Sequence, residues 1–130
     1  MNPAQTVLIV EDNARTSEML SLLFRAEGYA TESLADGAEA LERLHGEPPA
    51  LVILDLMMPR VNGIDVLRAL RSTPSWADTA VIITSAQGRD EEVWEGWRAG
   101  ADYYLVKPYK LDALWATAEE LLRTGQISGV

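Results

Sequence analysis

The chain has no cysteine in its 130 residues, one histidine and one phenylalanine. Without thiols it gives no sign of an oxidising compartment, and no disulfide staple supports the fold. His45 belongs to no cluster and is expected to be an exposed residue without a role. Apolar runs reach about four or five residues, far short of the ~18 that would cross a bilayer. The opening MNPAQTVLIV lacks both the charged lead and the long apolar run of a signal peptide, so a soluble, cytoplasmic protein without membrane contact is expected. Lysine is scarce: Lys107 and Lys110 stand alone, and the arginines are scattered singly among acids. Twenty acidic residues against 11 basic ones give a net charge of −9. That balance opposes direct contact with a nucleic-acid backbone, and no local basic patch overrides it. No glycine-rich loop follows the first apolar run, and Glu11 and Asp12 would repel a phosphate there, which argues against a nucleotide- or flavin-binding module.

What is present has a regular order. The length suits one domain that buries roughly two-thirds of its unfolded surface. Residues 1–130 are read as that single domain, with a core over about 6–124 and a short tail, 125–130. Apolar, strand-like runs at Val7 to Val10, Leu51 to Leu54, Val81 to Ile83 and Tyr104 to Val106, with a weaker one at Ala30 to Ser33, alternate with helical patterns. Five such repeats predict a parallel sheet with helices on both faces. The first helix is expected from about Ala14 to Glu27, capped by Asn13, ended by Gly28, with Met19, Leu20, Leu23 and Phe24 as its apolar stripe. The second opens on the capping-box spacing of Asp36 and Glu39 and stops near Gly46. The third is expected over about Ile64 to Arg71. The fourth runs from about Asp90 to Ala99, with three acids in its first turn, where the helix dipole favours them. The fifth runs from about Lys110 to Thr124, closed by Gly125, with Leu111, Leu114, Trp115, Ala118, Leu121 and Leu122 at helical spacing.

The stretch Leu51 to Pro59 organises the rest. Four large apolar residues form a strand buried on both faces, and the first residue to break the run is the carboxylate of Asp55. That places Asp55 at a strand's carboxyl end, the edge where open parallel sheets form their crevice. Glu11 and Asp12 follow the first strand, Thr84 and Ser85 the fourth, and Lys107 and Pro108 the fifth, so all converge there. Three crowded carboxylates call for a divalent cation or a lysine. A hard cation such as Mg²⁺ suits Asp12 and Asp55 with Glu11 in support. Lys107 supplies a point charge for an anion, and the Ser85 hydroxyl can donate to the same group.

These residues give the chain a resemblance to receiver domains of two-component response regulators, close in length to the single-domain chemotaxis type. The resemblance covers about residues 6–124. It rests on Val10-Glu11-Asp12, on Asp55-Leu56-Met57-Met58-Pro59 with Gly63, on Ser85-Ala86, on Gly100-Ala101 and on Lys107-Pro108-Tyr109. It implies a flavodoxin-like (βα)5 doubly wound sheet of strand order 2-1-3-4-5. It implies Asp55 as phosphoacceptor, Glu11 and Asp12 as the acidic pair, Lys107 as the phosphate-binding lysine, and Mg²⁺ held also by the backbone carbonyl of Met57. Ser85, 30 residues after Asp55 and 22 before Lys107, then corresponds to the switch hydroxyl in preference to Thr84, and Tyr104 to the aromatic switch. Met57 and Gln87 stand where the family tunes dephosphorylation. The partners implied are a histidine kinase or phosphotransfer protein, a downstream protein target, and a second copy in a phosphorylation-dependent homodimer. The surface of the fourth helix, fifth strand and fifth helix carries the readout.

The chain departs from the family pattern in places. Thr79-Ala80 stand where a proline often precedes the fourth strand. Trp94, Trp97 and Trp115, with Tyr104, read either as packing residues or as an interaction face. A receiver portion of a longer regulator, or a relay intermediate, fits the same residues. From another class, an aspartate-nucleophile phosphohydrolase would use a similar acid, lysine and Mg²⁺, but usually carries a second aspartate where this chain has Met57. The chain is therefore read as a regulatory phosphoacceptor that promotes only its own phosphorylation and dephosphorylation, not as an enzyme.

Overall fold

The computed structural model describes residues 5–124. Five strands, β1 (Thr6–Val10), β2 (Ala30–Leu34), β3 (Leu51–Asp55), β4 (Ala80–Ser85) and β5 (Tyr103–Val106), alternate with five helices, α1 (Ala14–Ala26), α2 (Gly37–Arg43), α3 (Gly63–Ser72), α4 (Asp90–Arg98) and α5 (Leu111–Thr124). All strand pairs are parallel, in the order β2-β1-β3-β4-β5. The closing glycine expected at Gly125 and the tail lie outside the described residues.

Burial follows position in the sheet. Every residue of the central β3 and of β4 is buried, whereas β2, at the edge, has none fully buried. This is why the uninterrupted apolar runs read clearly and Ala30–Leu34 only weakly. Alternation along the strands builds two cores. Val52, Leu54, Val81, Ile83 and Tyr104 pack with α3 on one face. Val7, Ile9, Leu51, Ile53 and Ile82 pack with α1 and α5 on the other.

The helix ends follow their local chemistry. Asn13 Oδ1 accepts from Thr16 N–H at 2.9 Å and caps α1. Asp36 Oδ1 accepts from Glu39 N–H at 2.8 Å, and Glu39 reaches back to Ala35 N–H at 3.0 Å. Gly28, at φ +95°, takes the left-handed conformation that ends α1. Two expectations change. Met19 does not join the α1 stripe but stands 45% exposed, leaving Leu20 and Phe24 to fill the core. The second helix stops at Arg43, and single turns carry the chain on to Gly46.

A 3-10 turn at Pro74–Trp76, absent from the sequence reading, buries Trp76 completely. The Trp76 indole N–H donates to Gly46 O at 3.0 Å, and the Arg43 guanidinium lies 5.3 Å from its ring centroid. Nearby, Arg71 donates to Gly100 O, Ala77 O and Thr79 O and pairs with Asp102 at 3.0 Å. This one guanidinium ties together the loops that lead into β4 and β5.

Candidate functional site at the carboxyl edge of the sheet

Glu11, Asp55 and Lys107 follow the alternation of Val7/Ile9, Leu51/Ile53 and Tyr103/Leu105, so all three belong to the α1/α5 face, where those strands leave the core. Lys107 Nζ donates to Glu11 Oε1 at 3.0 Å and to Asp55 Oδ2 at 3.3 Å. Both carboxylates are buried; their remaining oxygens accept backbone N–H groups, Asn13 to Glu11 Oε2 and Met57 to Asp55 Oδ1, each at 3.0 Å. Asp12 is exposed beside them. One carboxylate oxygen from each of Glu11, Asp12 and Asp55 lies within 4.8 Å of the others, the spacing of a cation site. Burial works against the Lys107 ammonium, but Glu11 and Asp55 outweigh it and raise its pKa above the usual lysine value.

The loops that carry these groups are pinned by the backbone. Leu56 N–H donates to Thr84 O, Lys107 N–H to Ser85 O and Gly63 N–H to Leu56 O. A Cβ on Gly63 would lie 2.6 Å from Leu56 Cα and 2.9 Å from Asp55 O, so the loop closes on Asp55 only because that residue has no side chain. Arg60, in the same loop, holds φ at +72° and pairs with Asp36 at 2.7 Å.

Ser85 and Thr84 part company as strand alternation requires. Ser85 belongs to the Tyr104 face, and its Oγ accepts from Gln87 N–H at 3.0 Å. The Tyr104 hydroxyl donates to Gln87 O at 2.8 Å, so one loop residue is gripped from both sides. Burial raises the Tyr104 pKa, the Ser85 hydroxyl offsets part of this, and Glu92 and Glu95 add to it. Thr84 pairs in register with Asp55 and shares its face, and its buried Oγ1 has no hydrogen-bond partner among the described residues. Met57 and Gln87 are both exposed at the crevice mouth.

The tryptophans do not form one surface. Trp94 is 63% exposed on α4, and Trp97 packs edge-on against Tyr103 at 6.0 Å. Trp115 instead meets Phe24 at 5.9 Å and Tyr29 at 6.4 Å, half-buried against the core of the opposite sheet face. Helical spacing identifies an apolar face but not its neighbour, and α5 turns Trp115 toward α1. His45 is exposed, as expected. No helix among the described residues is long and apolar enough to cross a membrane.

Residues 7–119 match the response regulator receiver domain family. The chain is 39% identical over 119 residues to the DNA-binding response regulator MtrA of Mycolicibacterium paratuberculosis, covering 92% of this chain and 52% of that protein. It is 39% identical over 117 residues to the response regulator MprA of Mycolicibacterium vanbaalenii, covering 90% of this chain and 50% of that one. The chain thus spans about half the length of these relatives. Among solved structures, the receiver domain of the Francisella response regulator 1452 superposes with a TM-score of 0.85 at 31% identity, covering 94% of this chain and 99% of that one. The chemotaxis protein CheY4 of Vibrio cholerae superposes with a TM-score of 0.83 at 29% identity, covering 91% and 98%. With the family matched over most of its length and the five-stranded 2-1-3-4-5 sheet in place, the chain belongs to the response regulator receiver domain family.

Proposed function

We propose that Asp55 accepts a phosphoryl group from a phosphohistidine on a kinase or phosphotransfer protein, and that the resulting charge resets the α4–β5–α5 surface toward a protein partner. The observation that carries this reading is the Lys107 ammonium set between the buried carboxylates of Glu11 and Asp55, with Asp12 beside them. An Asp55 carboxylate oxygen forms the new bond to phosphorus as the bond to the histidine nitrogen breaks, and the imidazole departs with that electron pair. Lys107 neutralises the phosphoryl oxygens, and positioning with charge neutralisation is most of what such a transfer asks of a protein.

The donor set fits a hard divalent cation: carboxylate oxygens only, two of the three residues buried, within a few ångströms of one another. Glu11, Asp12 and Asp55, with the Met57 backbone carbonyl, are the residues proposed to hold Mg²⁺. When bound, that ion would supply charge neutralisation to the transferring group.

Ser85 and Tyr104 are the proposed readout pair, because both engage the backbone of Gln87 at the crevice mouth. The proposed interaction face comprises Trp94 and Trp97; it omits Tyr104, which is buried and can act on that face only from beneath, and Trp115, which packs on Phe24. It is offered to a downstream protein or to a second copy in a homodimer. A receiver portion of a longer regulator is the second reading, supported by relatives about twice as long that include a DNA-binding regulator. In either case residues 1–130 act as one receiver unit in the cytoplasm.

The test is incubation with acetyl phosphate and Mg²⁺, then borohydride reduction and peptide mapping. A modification on the peptide bearing Asp55 supports the reading, and one confined to other carboxylates overturns it.

A further inference from the structure

Gly96 occupies the middle of α4, where glycine gives helix stability away because its unfolded backbone has more freedom to lose. It is the one fully buried residue of that helix. A Cβ built on it would lie 2.8 and 2.9 Å from two ring atoms of Tyr104 and 3.1 Å from Ile83 Cδ1. The two ring distances are shorter than side chains tolerate, and a tyrosine ring cannot bend away as a flexible chain end can. The ring is also held at its far end by the bond from its hydroxyl to Gln87 O at 2.8 Å, and it is buried. Ile83 and Tyr104 are register partners on adjacent strands and share one core, so the Ile83 side chain flanks the ring within the sheet face.

We infer that Gly96 is a positioning residue for the switch: by lacking a side chain it keeps open the space in which Tyr104 lies inward and engages Gln87, and so sets how strongly phosphorylation at Asp55 favours that arrangement. This rests on the function proposed above. The coupling runs through contacts already described, from Asp55 at the end of β3 to the neighbouring β4 end, from Ser85 Oγ to Gln87 N–H, and from Gln87 O to the Tyr104 hydroxyl. A methyl at position 96 pushes the ring outward, breaks the last of these contacts and leaves the carboxylate site untouched.

The test pairs Gly96→Ala with Tyr104→Ala in a cycle, using intact chain and beryllofluoride with Mg²⁺ as the phosphoryl mimic. Affinity is read by titration, and the ring by fluorine NMR of protein carrying 3-fluorotyrosine, with Tyr104 assigned through Tyr104→Phe. Gly96→Ala is expected to move the Tyr104 resonance toward its solvent-exposed position and to weaken beryllofluoride binding several-fold. In the Tyr104→Ala background the same substitution is expected to change affinity less than twofold, since no ring remains to collide with. Equal weakening in both backgrounds overturns the inference, because the methyl would then act through the helix. Wild-type protein that binds beryllofluoride while Gly96→Ala matches it in affinity and resonance overturns the role of Gly96 alone. Wild-type protein that binds none overturns the function proposed above, and the coupling with it.

Discussion

Lys107 Nζ stands 3.3 Å from Asp55 Oδ2 and 3.0 Å from Glu11 Oε1, so one ammonium serves two buried carboxylates from the ends of neighbouring strands. Lys107→Met should leave both carboxylates without a cation and lower unfolding free energy by about 1–3 kcal/mol in urea titrations. Asp55→Asn removes one of the crowded negative charges and keeps an acceptor for Lys107. Its melting temperature without metal should equal or exceed that of the wild type, and the rise caused by added Mg²⁺ should shrink. A wild type whose melting temperature ignores Mg²⁺ would contradict the proposed cation site.

The same lysine gives a pH dependence of definite sign. Its folded pKa is raised above the ordinary lysine value of 10.5, so folding favours the protonated form. That contribution is complete below the unfolded pKa and is lost as pH rises through the folded one. Tyr104 and Tyr109, both raised chiefly by burial, act in the same direction. Stability should therefore fall on the alkaline side, and urea midpoints for Lys107→Met should fall less steeply there than those for wild type. Parallel slopes would show that Lys107 is not the titrating group.

Thr84 offers a stabilising substitution. Its hydroxyl is buried without a partner among the described residues, so Thr84→Val removes an unmet polar group at nearly constant shape. Unfolding free energy should rise by about 1 kcal/mol. Labelling by acetyl phosphate should stay within twofold of wild type, because the loop backbone that carries Asp55 is held by Thr84 O and not by its side chain.

Met57, exposed at the crevice mouth, has a thioether that cannot hold an attacking water firmly. Phospho-Asp55 is therefore expected to decay slowly, and Met57→Asn, whose amide can orient a water, should shorten its lifetime several-fold. A lifetime of seconds, little changed by Met57→Ala, would contradict this account.

The site's geometry is readable in the sequence because Glu11, Asp55 and Lys107 each end an apolar run, after Val10, Leu54 and Val106, and Asp12 directly follows Glu11. A fully buried parallel strand makes such breaks conspicuous. What stayed hidden depends on neighbours that periodicity does not identify. The packing of Trp115 against Phe24 and Tyr29 is set by how α5 docks on α1. The burial of Trp76 in a three-residue turn has no period to betray it, and the hold of Arg71 on Gly100 and Asp102 spans 29 and 31 residues. Alternation told that Thr84 and Ser85 point to different faces. It did not tell that Ser85 would engage Gln87 while Thr84 shared the side of Asp55.

The central claim is phosphoryl acceptance at Asp55, and intact mass after incubation with acetyl phosphate tests it most directly. Wild type with Mg²⁺ should gain one phosphoryl mass, and the gain should vanish with EDTA and in Asp55→Ala. A folded wild type that gains no mass, or an Asp55→Ala variant that gains as much, would contradict the account.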